Sequence, residues 1–364
     1  MNLTGIMKLF PRYKNSFSGH LFIWIFTILF IQVAAHQPDV VESIYSTYLY
    51  PVIAVINRWL ARLFPFSIGD LLYFWAVMYL IYQFILLLIY IKKPLRYIEN
   101  ISEFLLKTIW IFYLSWGFNY FRKPLSERLH LNQQKYTMQQ LVQVTDSVLN
   151  RANRLQLQLT ENDTVAVEVP YALDRILQKT PQGYQAIEKI IGLSYKVPCI
   201  KKSMFSKQIS YMGVSGYLNP FTGEAQVNKL YPKVFLPDIA SHEVAHQLGF
   251  APENEASFLG YLASVNHPDA YFNYSGQINA LYYLLRELKK NDKKLFENFF
   301  KKLHKGVVKN FKQANEFNRR YQFPINFSTG YDAYLKLNKQ KSGIHSYNEM
   351  VGLLIAYELS EKQN

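Results

Sequence analysis

The chain has 364 residues; 50% are hydrophobic, 16% are aromatic and only 18% are charged. Globular domains carry about 25% charged residues, and this composition excludes a disordered chain, a collagen-like repeat and a coiled-coil rod. The single cysteine, Cys199, excludes an internal disulfide framework and a cysteine-based zinc knuckle. The net charge of +14 raises the question of nucleic-acid binding, which depends on where the charge lies.

Three apolar runs follow one another in the first 121 residues, at about 17–35, 71–91 and 104–120. A run of about 20 apolar residues can cross the hydrocarbon core as a helix, which satisfies its own backbone. The second run is interrupted only by Gln83, whereas the third carries Lys107 and Asn119. We therefore predict a membrane domain over residues 1–121 with three transmembrane helices. A buried core helix is the alternative for the second and third runs.

The first run has a second interpretation as a cleaved signal peptide, because a basic leader precedes it and small residues end it: Lys8, Arg12 and Lys14, then Val33, Ala34 and Ala35. Three cations follow the second run: Lys92, Lys93 and Arg96. The positive-inside rule places the N-terminus and this loop in the cytoplasm. We therefore expect a multi-pass inner-membrane protein that contacts the lipid bilayer, with residues 122–364 on the extracytoplasmic side.

Residues 43–64, between the first two runs, mix aromatic side chains with Arg58 and Arg62 at helical spacing. They are expected either to lie flat at the membrane interface or to pack on the other helices. Ser67 precedes Asp70 by three residues, which predicts an N-cap at the start of the second apolar helix.

Residues 122–364 have the composition of a folded domain, which we predict to be mainly helical with a small β-sheet. Leu141, Val144 and Val148 lie on one helical stripe and predict an amphipathic helix. The expected elements before residue 238 are helices at 138–155 and 186–193, a strand at 164–169, and a β-hairpin of 211–217 with 224–227 around the turn-rich 219–223. Beyond residue 238 the pattern is helical almost to the end.

The positive charge is concentrated in residues 286–341, which hold 15 Lys or Arg against 5 Asp or Glu. One interpretation is a set of solvated helix faces, and the other is attraction to anionic headgroups or an acidic substrate. No recognisable nucleic-acid-reading module accompanies this charge, and we predict no nucleic-acid partner.

Residues 237–250 predict a helix of about three turns. Pro237 and Asp238 suit its start, where an acidic side chain meets the positive end of the helix dipole. Gly249 suits the position just after its end, where glycine enters the left-handed region freely.

This predicted helix carries the motif H-E-x-x-H, formed by His242, Glu243 and His246. Two histidines four residues apart share one helix face, with their Cβ atoms about 5–6 Å apart. Both imidazoles can then bind one Zn²⁺. Glu243 lies about 100° round the helix and can accept a proton from a metal-activated water without becoming a ligand. The cofactor we predict is therefore zinc.

Zinc in a catalytic site needs a third protein ligand. Glu255 is the preferred candidate, because it falls on the first turn of a second predicted helix and Ala256 beside it permits close helix approach. Glu253 is the competitor, since side chains two residues apart on a helix point in different directions. No feature of the sequence around Cys199 favours it as the third zinc ligand.

These motifs resemble those of known families. The H-E-x-x-H motif followed by Asn254, Glu255 and Ala256 resembles the gluzincin metallopeptidases, whose third ligand is a glutamate on a following helix. The shorter spacing to the segment 253–258 is also similar to the ImmA/IrrE-type metallopeptidases. Across nearly the whole chain the layout is similar to an uncharacterised bacterial family of multi-pass membrane proteins with zinc-protease motifs, through residues 116–125, 211–213, 220–225 and 242–249.

The gluzincin resemblance implies a zincin-like fold in which an edge strand pairs with an extended substrate. The segment that would do so here consists of Glu224, Ala225, Gln226 and Val227. Main-chain hydrogen bonds of this kind give a peptide most of its affinity. The alternative is a plain structural strand.

A hydrolase of this kind also needs a donor for the developing oxyanion. His267 and Tyr274 follow the second helix and are candidate transition-state stabilisers. With 28 tyrosines in the chain, packing is the competing role for Tyr274.

The leading hypothesis is a membrane-anchored zinc metallopeptidase that acts on a peptide or protein substrate. A non-catalytic scaffold with a structural or vestigial metal site is the alternative; it would be favoured by a closed four-ligand site completed by His267 or Glu253. A third hypothesis is a zinc hydrolase that cleaves amide bonds in cell-wall or lipid material. Its chemistry would be that of the metallopeptidase, and only its substrate cleft would differ.

Overall fold

The computed structural model describes residues 17–92, 94–131, 136–322, 328–338 and 347–360, and the structural statements below concern these residues. The described chain is mainly helical with one small three-stranded sheet, which confirms the coarse prediction of fold class. The leader cations Lys8, Arg12 and Lys14, and Lys93 of the predicted cytoplasmic loop, lie outside the described residues.

The described residues from 17 to 121 form a series of helical segments. These are α1 (Phe17–Ala35), α2 (Pro38–Val40), a π-helical segment (Val41–Leu49), α3 (Tyr50–Arg62), α4 (Ile68–Ile89), α5 (Leu95–Ser115) and a 3-10 segment (Gly117–Phe121). The predicted N-cap of α4 is confirmed, because the Ser67 hydroxyl accepts a hydrogen bond from the Asp70 amide at 2.9 Å.

The prediction of three membrane-spanning helices is wrong for the described residues, in which α4 alone is long and apolar enough by itself. The helix of the third run, α5, is not apolar enough to cross a membrane. It begins early enough to include Arg96 and Glu99, and it ends before residues 117–121. The first run passes only as Gly19–Ala35 combined with Pro38–Arg62, a pair bent by 84°. One helix, or two if that pair is a single span, can therefore cross a membrane.

The rest of the chain is a helical body around the sheet. Its elements are α6 (Leu125–Arg128), α7 (Met138–Thr160), α8 (Leu173–Lys179), α9 (Pro181–Ala186), α10 (Glu188–Ile191), β1 (Ile200–Lys202), α11 (Ser206–Tyr211), β2 (Gly216–Leu218), β3 (Ala225–Val227), a 3-10 segment (Lys233–Phe235), α12 (Leu236–Gln247), α13 (Glu253–Val265), α14 (Ala270–Asn291), α15 (Lys293–Lys301), α16 (Lys305–Arg320), α17 (Ser328–Leu337) and α18 (Tyr347–Ser360).

Two of the predicted elements before residue 238 are shorter or absent. The helix at 186–193 is reduced to α10, which ends where Gly192 takes a φ of +65°. The strand at 164–169 is irregular instead, because the Val167 backbone bonds to the Asn310 side chain in both directions, at 3.1 Å each. The predicted helix at 138–155 is confirmed and extends to Thr160, with a Thr137–Gln140 capping box at its start.

The sheet has the strand order β1-β3-β2, with β1 parallel and β2 antiparallel to β3. The predicted hairpin is confirmed as β2 and β3, with Gly216 opposite Val227. Its first arm is shorter than predicted, since residue 211 ends α11. The central strand β3 is fully buried.

The main core lies where α12, α13 and α14 pack together and α7 covers α14. The predicted stripe of α7 is confirmed, because Leu141, Val144 and Val148 are all buried. Fully burying a side chain of this kind contributes about 1.5–3 kcal/mol, so this stripe fixes α7 to the helices that carry the candidate site.

Candidate metal centre

The two histidines of the H-E-x-x-H motif lie side by side on α12. The ring centroids of His242 and His246 are 4.8 Å apart, and the ring planes are nearly perpendicular, at 86°. Pro237 lies in the first turn of this helix and Gly249 follows its end with a φ of +85°, as the sequence predicts. The i, i+4 spacing therefore brings both imidazoles to one point.

The third donor at this point is Glu253, the first residue of α13. One oxygen of its carboxylate lies 3.2 Å from Nε2 of His242, and the other lies 3.7 Å from Nε2 of His246. Donor atoms of a tetrahedral zinc site with bonds of about 2.0–2.1 Å are about 3.3 Å apart. These three side chains form a group whose ligand atoms all lie within 4.8 Å of one another. The donor set therefore fits a metal ion.

The preferred third ligand of the sequence prediction, Glu255, is not part of this group, and Glu253 takes its place. Two residues along a helix is a rotation of about 200°, which turns Glu255 away from the histidines. One of its oxygens accepts a hydrogen bond from the Leu125 amide at 2.8 Å. Burial raises the pKa of Glu255 to about 7, although this hydrogen bond and nearby Arg122 lower it.

Close contact between the two helices brings Glu253 to the histidines. Gly260 of α13 lies against α12 where the helices meet. A Cβ atom at this glycine would lie 2.9 Å from the backbone nitrogen of His242 and 3.2 Å from its Cβ. The close approach therefore depends on Gly260, in addition to the small Ala256 that the sequence suggests, which is fully buried.

Glu243, the predicted general base, is buried next to the group but is not one of its donors. Burial raises the pKa of Glu243 to about 8, with opposing effects from His246, which lowers it, and Glu253, which raises it. One of its oxygens, Oε2, has no hydrogen-bond partner within the described residues. A buried carboxylate that lacks a partner and has a raised pKa is suited to accept a proton from a bound molecule.

The charges of the group favour a cation between the histidines and Glu253. Burial would lower the pKa of His246, but the Glu253 and Glu243 carboxylates raise it to about 9. In turn, His246 and His242 hold the pKa of Glu253 well below its usual value, although burial acts in the opposite direction. A carboxylate that stabilises an imidazolium here stabilises a metal ion by the same electrostatic attraction.

Both histidines are oriented through their other ring nitrogen. Nδ1 of His246 lies 2.8 Å from the Phe250 carbonyl oxygen, to which it must donate, so Nε2 is left free as a ligand atom. Nδ1 of His242 lies 3.3 Å from the Ser257 hydroxyl. Partners of this kind fix the orientation of metal-binding histidines. Ser257 was missed from the sequence, although its i, i+4 spacing from Glu253 is a usable signal.

Side chains between residues 50 and 116 contact the C-terminal end of α12, and no sequence pattern predicts these contacts. Tyr50 and Arg58 both donate to the Gln247 carbonyl, at 2.8 and 2.9 Å. The Trp116 indole donates to the His246 carbonyl at 2.9 Å. The last carbonyls of a helix have no partner within it, and each costs about 1–3 kcal/mol when buried and unpaired. Tyr50 and Arg58 remove that cost for the Gln247 carbonyl. Trp116 adds a further partner to the His246 carbonyl, which also accepts from the Gly249 amide at 3.0 Å.

The two candidate transition-state stabilisers form hydrogen bonds with residues outside the donor group. His267 accepts from the Asp269 amide through Nδ1 at 2.9 Å, and its Nε2 lies 3.1 Å from the Lys179 carbonyl. The Tyr274 hydroxyl donates to Asn310 at 2.8 Å, and the side chain is fully buried. Neither is part of the donor group, and their contacts are those of residues that hold loops and helices together.

The predicted substrate strand, Glu224 with Ala225, Gln226 and Val227, has no free edge because β3 is paired on both sides. The Glu224 carboxylate bonds to the backbone amides of Ile68 and Gly69, at 3.1 and 2.5 Å, and so holds the start of α4. It also pairs with Lys201 at 2.6 Å. This segment therefore has a structural role.

The edge strand next to the donor group is β2. A Cβ atom at Gly216 would lie 2.6 Å from Oε1 of Glu243, so the carboxylate packs against the bare backbone of this strand. The strand pairs with β3 on one side, and no other described strand pairs with its second edge.

A family model described as "Protein of unknown function (DUF3810)" matches residues 45–355. The match covers most of the chain, and the chain belongs to this family. No curated protein and no solved structure matches the chain significantly.

Proposed function

We propose that this member of the DUF3810 family is a membrane-anchored zinc metallopeptidase. His242, His246 and Glu253 hold the metal, and Glu243 is the general base. The observation that carries the proposal is the convergence of three donors within 4.8 Å, with a buried carboxylate beside them that has an oxygen without a partner. Two histidines and a glutamate form a known ligand set of catalytic zinc.

The number of donors favours an enzyme over a scaffold. Within the described residues the group contains three protein donors. Structural zinc sites have four protein ligands, whereas catalytic sites have three and leave one position open. His267, a candidate fourth ligand, stacks on Phe272 at 3.8 Å and uses both ring nitrogens elsewhere.

The metal ligands and Glu243 have different roles in the proposed hydrolysis. A zinc ion held there would polarise a carbonyl group and make a water molecule more acidic. Glu243 takes a proton from the water that attacks the peptide carbonyl and returns it to the leaving nitrogen. Burial disfavours the charged form and raises the pKa of Glu243, so its carboxylate holds a transferred proton more strongly than an exposed glutamate does.

The second edge of β2, with which no other described strand pairs, supports a peptide as the substrate. An extended peptide can add to an unpaired strand edge through main-chain hydrogen bonds. The Gly216 end of β2 lies against Glu243, and a peptide paired with this strand would pass the base. We therefore place the substrate strand at Gly216–Leu218 instead of residues 224–227.

The membrane location in the proposal rests on α4. Its 18-residue apolar window has a mean hydropathy of 2.1 and is only 6% buried within the protein. A multi-pass arrangement, with the catalytic domain of residues 122–364 on the extracytoplasmic side, is part of the proposal and rests on the distribution of Lys and Arg.

The decisive variant is Glu243→Gln in the full-length protein, purified in detergent and loaded with Zn²⁺. The amide cannot accept the proton, and so we expect hydrolysis of a quenched-fluorescence peptide library to fall at least about 100-fold, as for loss of a general base. Zinc content, measured by plasma mass spectrometry, is expected to stay at one ion per chain.

Glu297→Gln, an exposed change on α15, is the matched control and should leave both readings unchanged. Hydrolysis that survives Glu243→Gln would refute the mechanism. A wild-type protein that binds zinc but cleaves no peptide would favour the scaffold.

A further inference from the structure

The C-terminal end of α12 is held by side chains that lie about 120 to 200 positions upstream in the sequence. Four of them donate to backbone carbonyls at or just beyond this end, and we name them the N-terminal clamp: Tyr50, Arg58, Trp116 and Arg122. The helix end they hold carries His246. Water is excluded there, since both His246 and Gln247 are buried.

Trp116 makes the most direct of these contacts. Its indole nitrogen donates to the His246 carbonyl at 2.9 Å, and its ring meets the His246 ring edge to face, with centroids 6.0 Å apart. Asn119 fixes the turn that carries Trp116, because its amide donates to the Trp116 carbonyl at 2.9 Å. Ser46 donates in turn to Asn119 at 3.0 Å. One side chain therefore holds both the backbone and the ring of a proposed ligand.

Arg122 and Arg58 add positive charge where a helix dipole is negative. Arg122 donates to the Gly249 carbonyl at 3.0 Å and forms a two-pronged pair with Glu42, at 2.8 and 2.9 Å. Arg58 donates to Gln247 and also to the carbonyls of Lys196 and Val197. The clamp therefore joins the segment 42–122, the loop before β1 and the metal-binding helix.

We infer that the N-terminal clamp is part of the metal centre, in the sense that it positions His246 for the metal. The inference rests on the proposed function, since it assigns positioning residues to that same site. The segment that precedes and follows the proposed membrane helix then has a second role besides anchoring. The metal affinity depends on how this segment is seated against α12.

The test variant is Trp116→Phe in the full-length protein, which keeps an aromatic ring but removes the indole donor. Changes in the groups that orient metal ligands cost about 10–100-fold in metal affinity. We expect the Kd for Zn²⁺, measured by competition with a chelator, to rise about tenfold or more. The visible absorption of the Co²⁺-loaded protein should also shift, because the His246 backbone loses the indole contact that helps to hold it.

Trp110→Phe is the matched control. The Trp110 indole also donates to a side chain of the same region, Thr27, at 3.0 Å, but it makes no described hydrogen bond to α12. A purely structural role of the clamp predicts that both variants lower the melting temperature and leave the Zn²⁺ Kd and the Co²⁺ spectrum of the folded protein unchanged. That result would overturn the inference.

If Trp116→Phe does not yield folded protein, Tyr50→Phe decides the question, with Tyr274→Phe as its control. Tyr50→Phe removes the donor to Gln247, and Tyr274→Phe removes a donor to Asn310 away from the site. The same rise in Kd for Tyr50→Phe alone supports the inference, and equal Kd values refute it. A wild-type protein without Zn²⁺ binding would instead refute the proposed function.

Discussion

Around α12 and α13 the protein buries ionisable side chains, whereas along α1 and α4 it exposes apolar ones. His246, Glu243 and Glu253 are each about 5% exposed or less. By contrast, Trp75 and Tyr82 of α4 are 65% and 56% exposed. Both features are unfavourable in a water-soluble protein, because buried charge and exposed apolar surface each cost free energy.

From this comparison we infer that the two regions are stabilised by partners of different kinds. Buried carboxylates and imidazoles that converge on one point are stabilised by a cation. A long helix with apolar side chains all round is stabilised by lipid. The clamp joins α12 to the segment 42–122, which contains α4, so we expect the two regions to act as one unit rather than as an enzyme on a passive anchor.

The largest effect is expected from thiol labelling of the two regions in open membrane fragments. Tyr82→Cys on α4 should resist a water-soluble maleimide, because the proposed function places this exposed position in lipid. Leu157→Cys on α7 is 45% exposed and should label readily. Wild-type protein is the blank, because Cys199 is buried and its pKa is raised by burial to about 11, which makes it a slow thiol.

Equal labelling of the two variants would show that α4 faces water. It would contradict the proposed difference between the two regions. Both variants should label equally after denaturation in dodecyl sulfate, which controls for the intrinsic reactivity of the introduced thiols.

The next effect concerns the two glutamates at the start of α13. Glu253→Gln should weaken Zn²⁺ binding by more than about 100-fold, since changes outside the ligand shell alone cost 10–100-fold. Glu255→Gln is the matched control and should change the Zn²⁺ Kd little, because this side chain contacts the Leu125 amide instead. Isothermal titration of the two full-length proteins checks this. The reverse ranking would restore Glu255 as the ligand.

A smaller effect is expected from Gly216→Ala on β2. The new methyl group would meet the Glu243 carboxylate at 2.6 Å and displace it. A displacement of about 1 Å in a catalytic group can cost up to about 100-fold in rate. We expect kcat/KM for peptide hydrolysis to fall by up to this factor while the Zn²⁺ Kd stays unchanged.

Gly352→Ala is the control for Gly216→Ala, because a Cβ atom at Gly352 would meet nothing within 4 Å. Wild-type activity in Gly216→Ala would place the base away from β2 and remove the support for this strand as the substrate edge.

The parts of the site that the sequence predicts are those set by local spacing. The i, i+4 histidines, a helix start near Pro237 and the end before Gly249 all follow from a stretch of fourteen residues, and the structure has them, with the start at Leu236. The choice between Glu253 and Glu255 depends on where α13 begins. A shift of one or two residues in a helix start changes which side chain faces a neighbouring helix.

Other features of the structure cannot be predicted from local sequence patterns. The pairing of β3 on both sides depends on β1, a three-residue strand without an alternating pattern. The contact between Trp116 and His246 joins residues 130 positions apart. The third apolar run extends over residues 104–120, but its helix starts at Leu95 and includes the exposed pair Glu103–Lys107.

The most direct test of the account is anomalous diffraction at the zinc edge from crystals of the full-length protein grown with Zn²⁺. We expect one strong peak, about 2.0–2.2 Å from Nε2 of His242, Nε2 of His246 and a carboxylate oxygen of Glu253. A peak at another set of ligands, or none at this point in zinc-saturated crystals, would contradict it.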